Sequence, residues 1–338
     1  MPAAVAKYQK LNKLGEGTYA VVWAGKELAT GRQIAIKKIK VGQFKEGLDM
    51  SAIREVKFLR EVKHENVIEL IDIYSNKQNL NLILEYLEAD LEHLIKDRSI
   101  LFSTGDVKSW MLMTLRGLHH LHARFILHRD LKPNNLLLST TGVLKLADFG
   151  LAKDFGAAFV NMSPNVVTRW YRAPELFLGA KQYGPGIDMW AVGCIFAELL
   201  LRNPYMPGEN DMGQLDLIFK ALGTPSKQDW PDVIHLPQYV EFRKHERPDP
   251  RQLFTAASEQ EIDLMQQMLT LDPLKRPTTT DALRHPYFKA LPRPTPPEQL
   301  PKRGGGLDKV SADLKRKPGN LDTPDRSDGA SKVARKLF

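Results

Sequence analysis

Between the apolar runs "FIL" and "LLL" the chain places "HRDLKPNN", residues 128–135. That segment is too polar for a central strand and too dense in charge for an ordinary surface turn. A fold that carries it must either leave it fully solvated or use it on a highly charged substrate. The residues on either side, and the segments that could meet this loop in space, decide between those readings.

With 338 residues, 43% of them hydrophobic, the chain can bury the core of one large domain or of two lobes. Its single cysteine, Cys194, excludes a disulfide framework and a thiolate metal cluster. Cys194 lies in "MWAVGCIFAELLL" and reads as a small buried side chain. The start "MPAAVAKYQK" lacks the apolar stretch of a signal peptide, and no run of about twenty uncharged apolar residues reads as a membrane span. An intracellular, reducing environment without membrane contact is the expectation. The formal net charge is +8. Residues 302–338 hold ten Lys/Arg against five Asp/Glu and so account for +5, leaving +3 for residues 1–301. A nucleic-acid-binding domain would carry its basic stripe on the folded part, so no direct nucleic-acid binding is expected.

The first eighty-five residues read as strands broken by one helix. "YQKLNKLGEG", "YAVVWAGKEL" and "RQIAIKKIKV" are rich in β-branched residues and separated by turn signals. In "GLDMSAIREVKFLREVKH" the period changes, with Met50, Ile53, Val56, Phe58, Leu59 and Val62 approximating a helical stripe. "VIELIDIYSNKQNLNLILEYL" returns to strand character. From Leu91 helices dominate: "TGDVKSWMLMTLRGLHHLHARF" opens at a Ser103–Thr104 cap, "GIDMWAVGCIFAELLLRN" is apolar nearly all round, and "EQEIDLMQQMLTLDP" and "TTTDALRHPYF" follow. The end, beginning "PRPTPPEQLPKRGGG", is too polar to bury a core of its own, which predicts a disordered basic tail over 292–338.

A glycine-rich turn, "GEGTYAVV" from Gly15 to Val22, lets backbone amides approach phosphates, although glycine hairpins are common. Fifteen residues on, "IAIKK" puts Lys37 on a strand, either as an exposed charge or as a group reaching phosphates. Glu55 on the helix "MSAIREV" can fix that lysine. In the polar loop, Asp130 can accept or orient a hydroxyl proton, Lys132 can neutralise a transferred phosphoryl group, and Asn135 offers an amide oxygen suited to Mg²⁺. The hairpin "LLLSTTGVLKLADFG" ends at Asp148, whose carboxylate can bridge Mg²⁺ to phosphates. Phosphoryl transfer needs positioning and charge neutralisation more than covalent chemistry.

Taken together, "GEGTYAVV", "IAIK", Glu55, "HRDLKPNN", "DFG" and "APE" resemble the protein-kinase signature over residues 8–288. The resemblance implies an α+β bilobal fold: a small β-rich N-lobe over 8–86 with one regulatory helix, and a larger, mostly helical C-lobe over 87–288. It implies ATP and Mg²⁺ as cofactors, Asp130 as catalytic base with Lys132, the Lys37–Glu55 pair on the ATP phosphates, and Asn135 and Asp148 as metal ligands. Leu14, Gly15, Glu16 and Gly17 would cover the nucleotide. Val22, Ala35 and Leu137 would sandwich adenine, backbone groups of Glu85 and Leu87 would meet its edge, and Asp90 would reach the ribose. Glu175 would pair with Arg276, and Asp188 would brace the catalytic loop. Ala20 stands where the third glycine of the phosphate loop is usual; a methyl stiffens the turn without removing an amide.

"LDMSAIREVKFL" further resembles the cyclin-docking helix of cyclin-dependent kinases, with Ile53 as the residue a cyclin would cover. In the segment Asp148–Glu175, Ser163 stands at the place of the family's regulatory threonine, followed by Pro164. Arg54, Arg129 and Lys153 match the basic pocket for a phosphate there. Thr18 and Tyr19 resemble inhibitory phosphosites. "NVIELIDIY", "NVVTRWYRAPELFLGAKQYG" and the final "RKLF" resemble the kinase subunit of transcription factor TFIIH, in its fungal form. That resemblance implies a nuclear serine/threonine kinase acting on Ser-Pro sites of the RNA polymerase II C-terminal domain. Its implied partners are a cyclin H-like cyclin, a MAT1-like assembly factor and the TFIIH core. The alternatives are a CDK-activating or cell-cycle kinase acting on activation loops, or a catalytically silent scaffold.

Overall fold

The computed structural model describes residues 7–16, 20–39, 50–76, 79–156 and 161–302. Strands β1 (Tyr8–Glu16), β2 (Ala20–Glu27) and β3 (Gln33–Ile39) form a meander, and helix α1 (Met50–Glu61) leads to the hairpin of β4 (Leu70–Asn76) and β5 (Asn79–Glu85). The antiparallel sheet runs β1-β2-β3-β5-β4. Side chains alternate along a strand. On β3 that alternation sends Ile34 and Ile36 to an outer cluster with Ile83, and sends Ala35 and Ile39 into the main core. Lys37 shares the parity of Ala35 and Ile39, which puts its ammonium on the inner face. Ala52 and Leu59 on α1, and Val62 just past its end, are nearly fully buried. Glu55 falls on the same i, i+3, i+7 stripe and is only 4% exposed, so the helix period delivers a carboxylate to the core, where it needs a cation.

The larger lobe begins with β6 (Ala89–Asp90), α2 (Leu91–Lys96) and α3 (Thr104–His122). Ser103 caps α3 in a reciprocal box with Asp106. Strand β7 (Ile126–Leu127) precedes the polar loop, the hairpin β8 (Leu136–Leu138) and β9 (Leu144–Leu146) follows it, and β10 (Lys153–Asp154) pairs with β7. After α4 (Pro174–Phe177), helix α5 (Gly186–Leu201) runs through the centre of the lobe with Trp190, Phe196 and Cys194 buried. Burial pushes the Cys194 thiol well above its ordinary pKa, so it remains an inert packing group. Helices α6 (Asp211–Leu222), α7 (Glu259–Met268) and α8 (Thr279–Arg284) complete the lobe. Among the described residues no helix is long and apolar enough to cross a membrane.

The expectation of a disordered segment over 292–338 fails at its start. The buried Lys108 Nζ donates to Ala290 O at 3.0 Å and Pro292 O at 2.7 Å, the Thr295 N–H donates to Gly105 O at 3.0 Å, and Lys302 Nζ donates to Thr140 O at 2.6 Å. Leu300 is 3% exposed. The segment needs no core of its own because it lies in notches cut by glycines. A Cβ on Gly142 would stand 1.7 Å from Pro297 O, and one on Gly105 2.8 Å from Thr295 Oγ1. Residues 303–338 lie outside the described residues.

One histidine at the end of α3 links this packing to pH. His120 packs against His64 in a tilted arrangement with ring centroids 4.7 Å apart, and its Nδ1 accepts from Arg124 at 3.1 Å. Burial, then the charges of Arg124 and the neighbouring histidines, lower its pKa to about 4. The unfolded chain takes up this proton near pH 6.5 while the folded chain resists to about 4. The extra stability is therefore full above pH 6.5 and is lost as pH falls toward 4. His120→Asn keeps an acceptor for Arg124 and removes the titration. Its melting temperature is expected to fall less steeply than that of the wild type between pH 6.5 and 4.5; parallel slopes would refute the assignment.

Candidate active site

The polar loop is clamped from below by one carboxylate. Asp188, on the first turn of α5 and 1% exposed, accepts from the His128 N–H at 3.0 Å, the Arg129 N–H at 2.9 Å and His122 Nε2 at 2.9 Å. Burial raises its pKa, but the His122 hydrogen bond and nearby charge outweigh that, so it sits below the ordinary carboxylate value. Held this way, Arg129 adopts φ +65°, a conformation rare for a side-chain-bearing residue. The sharp turn leads directly into Asp130, which is 7% exposed.

Asp130 is itself fixed on both oxygens. Oδ2 accepts from Lys132 Nζ at 2.8 Å and from Asn135 Nδ2 at 3.1 Å, and Oδ1 accepts from Thr168 Oγ1 at 3.1 Å and its N–H at 3.3 Å. Lys132 Nζ also donates to Thr168 Oγ1 at 3.1 Å. The Asn135 amide nitrogen further donates to Asp130 O at 2.7 Å, so its nitrogen is committed to the loop while no described residue donates to its Oδ1.

Above the loop, Lys37 Nζ donates to both Glu55 oxygens at 2.7 and 2.8 Å and lies 3.5 Å from Asp148 Oδ1. Burial alone would pull the ammonium pKa down; the charges of Glu55 and Asp148 outweigh it and hold it above the lysine range. Burial likewise pushes Asp148 up, and the Lys37 charge pulls it below its ordinary value, so both remain ionised. Asp148 has φ +63° and begins a 3₁₀ turn whose Phe149 is fully buried against His128.

Val22, Ala35 and Leu137 pack on the main core, and Leu14 is exposed near the end of β1. A Cβ on Gly15 would meet nothing within 4 Å, so its packing leaves open space. Glu16 reaches Lys13. Gly17, Thr18 and Tyr19 lie outside the described residues. At the lobe junction the Glu85 N–H is given to Glu69 O at 3.1 Å, which leaves at most its carbonyl for a ligand. Leu87 engages no other backbone group among the described residues. Asp90 caps α2, and His93 uses both of its oxygens, at 2.9 and 2.7 Å. A ribose hydroxyl would share the carboxylate with that cap. Ile53 stands 41% exposed on the outer side of α1. Arg129 reaches the Ser163 segment through Tyr183, whereas the side chains of Arg54 and Lys153 have no ion pair or hydrogen bond among the described residues.

Sequence reasoning missed three contributors. Thr168 was legible only as part of "VVTRWYRAPE"; its contact with Asp130 spans 38 residues. Arg172 donates to Val166 O and Val167 O, the latter at 3.2 and 3.1 Å, and Val167 has φ +67°. No local signal predicts a left-handed valine. Tyr183 is the third.

Residues 8–288 match the family described as "Protein kinase domain". The chain is 59% identical over 313 residues to serine/threonine-protein kinase crk1 of Schizosaccharomyces pombe, covering 91% of this chain and 93% of that protein. It is 56% identical to serine/threonine-protein kinase KIN28 of Saccharomyces cerevisiae, over 87% of this chain and 97% of that one. It is 49% identical to cyclin-dependent kinase 7 of Xenopus laevis, over 88% and 85%. Among solved structures, a CAK complex from Chaetomium thermophilum bound to ATP-gamma-S contains a chain that superposes with a TM-score of 0.84 at 46% identity, covering 88% of this chain and 95% of that one. The chain belongs to the protein kinase family, within its cyclin-dependent serine/threonine branch.

Proposed function

We propose that this chain is the kinase subunit of a TFIIH-type complex in the nucleus, transferring the ATP γ-phosphate to Ser-Pro serines in the heptads of the RNA polymerase II C-terminal domain. The observation that carries the substrate class is the left-handed Val167, whose carbonyl is taken by Arg172. That carbonyl cannot also accept from the residue after the phosphorylated serine. An ordinary residue there would bury an unpaired N–H, whereas proline has none. The similarity to KIN28 and cyclin-dependent kinase 7 supports the TFIIH assignment, and the exposed Ile53 on α1 supports a cyclin H-like partner that covers this helix and keeps Glu55 on Lys37. A MAT1-like factor and the TFIIH core would complete the assembly.

The donor set fits Mg²⁺. Asn135 offers a free amide oxygen and Asp148 an ionised carboxylate, while no group of three His, Cys, Asp or Glu side chains is poised as a metal cage among the described residues. Two oxygen donors suit an ion that keeps waters and substrate phosphates in its shell. Bound there, Mg²⁺ would neutralise phosphate charge. In this reading Lys37, fixed by Glu55, holds the phosphates of ATP, and Leu87 meets the adenine edge. Asp130 orients the serine hydroxyl and takes its proton, and Lys132 offsets the charge of the moving phosphoryl group.

A second reading, phosphorylation of kinase activation loops, is favoured by the likeness to a chain of a CAK complex. The test uses the cyclin-bound chain with Mg-ATP on YSPTSPS, on its Ser-Ala counterpart, and on an activation-loop protein whose threonine lacks a following proline. The heptad is expected to exceed the Ser-Ala peptide at least ~10-fold in kcat/KM, as an unpaired buried N–H implies. Preference for the loop protein would move the assignment to the second reading.

A further inference from the structure

Ser163 is exposed. Yet the segment around it is tied down. The Met162 N–H donates to Lys181 O at 2.8 Å, and the Met162 side chain is 7% exposed. One residue on, Tyr183 Oη donates to Ser163 O at 2.7 Å and accepts from Arg129 Nη1 at 3.1 Å. Arg129 Nε donates to Leu151 O at 2.6 Å, and the Arg129 N–H is the one held by Asp188. An unbroken chain of hydrogen bonds therefore runs from the Asp188 brace through the catalytic loop to the activation segment. The same segment then places Thr168 on Asp130 and aims the Val167 carbonyl at Arg172.

Phosphorylation orders such loops by joining a new anion to waiting cations. Here the one cation of the expected pocket that reaches the segment does so through a neutral phenol, while Arg54 and Lys153 are unengaged among the described residues. Burial raises the Tyr183 pKa, so the phenol keeps the proton it donates.

We propose that Tyr183 is a positioning residue that stands in for the loop phosphate, joining Arg129 to the Ser163 carbonyl so that the segment holds its substrate-receiving shape while Ser163 is unmodified. The proposal rests on the kinase reading above and deepens it. Tyr183 touches no reacting atom; it acts through Thr168, Asp130 and Val167.

The test compares the full chain with its cyclin partner in four forms: wild type and Tyr183→Phe, each with serine or with genetically encoded phosphoserine at position 163. With unmodified Ser163, Tyr183→Phe is expected to lower kcat/KM for the heptad peptide by ~10-fold, the scale of one hydrogen bond to a charged partner, with KM for ATP unchanged. With phosphoserine the loss is expected to shrink below ~2-fold, because the phosphate engages the arginine directly. Amide exchange at Met162 gives a readout independent of substrate: Tyr183→Phe should accelerate it only in the unphosphorylated form. Equal losses in both forms, or unchanged Met162 exchange, would overturn the proposal. A wild type silent on heptads whose Met162 exchange still responds in this way would support Tyr183 and count against the substrate assignment instead.

Discussion

Asp130→Asn is expected to lower kcat on a Ser-Pro peptide by about 10²–10⁴-fold, the range that a positioned general base contributes. The substitution keeps the size of the side chain and an oxygen for Lys132 or Thr168, so the loop clamped by Asp188 should retain its turn. What is lost is the basicity and the negative charge at the point where the serine proton must go. Lys37 with Glu55 and Leu87, proposed to hold ATP, do not touch Asp130, and Asn135, proposed to hold the metal, keeps its bond to the backbone carbonyl of residue 130, so KM for ATP should change by less than ~2-fold. The measurement is steady-state phosphate transfer by the cyclin-bound chain, with ATP and peptide varied separately. A kcat within tenfold of wild type would remove Asp130 as acceptor of the proton and leave the loop a role in positioning alone. It would also revive the silent-scaffold alternative if the wild type proved equally slow.

The parts legible in the sequence are those in which chemistry is local. Period 2 on β3 and period 3.6 on α1 make Lys37 and Glu55 face the same interior, and a buried carboxylate demands a cation; their 2.7 Å contact follows from two short patterns. Ser103 and Asp106, three residues apart, announce the start of α3. The catalytic loop is equally compact, since Asp130, Lys132 and Asn135 meet within eight residues. The parts that were hidden depend on contacts between distant segments or on backbone strain. Thr168 meets Asp130 across 38 residues, Tyr183 reaches Arg129 across 54, and Val167 turns left-handed because Arg172 captures its carbonyl. The stretch 292–302 misled in the opposite way. Its composition argues against a core of its own, but the docking groove is supplied by Lys108, Gly105 and Gly142, far upstream.

Arg276→Ala is expected to destabilise the C-lobe by about 3–5 kcal/mol, the loss seen when one partner of a buried ion pair is removed. The Arg276 side chain is fully inaccessible and that of Glu175 is 3% exposed. The guanidinium donates to the two carboxylate oxygens at 2.6 and 2.7 Å, to Thr270 O at 2.7 Å, to Gly186 O at 2.9 Å and to Leu271 O at 3.0 Å. It thereby joins α4, the start of α5 and the end of α7, and it lies 5.0 Å from the Trp190 ring. Alanine would strand a buried carboxylate and three carbonyls together. Glu175→Gln is milder, because an amide oxygen can still accept and the arginine keeps its carbonyls; a loss of about 1–3 kcal/mol is expected. The double variant Glu175→Leu/Arg276→Met removes both charges and refills the space, so it should recover most of the loss from Arg276→Ala. Urea midpoints followed by tryptophan emission report on this directly, since the Trp190 indole lies 5.0 Å from the guanidinium. If the double variant were as unstable as Arg276→Ala, the carbonyls of residues 186, 270 and 271 rather than the stranded charge would set the penalty, and the arginine would be acting chiefly as a tie between two chain segments.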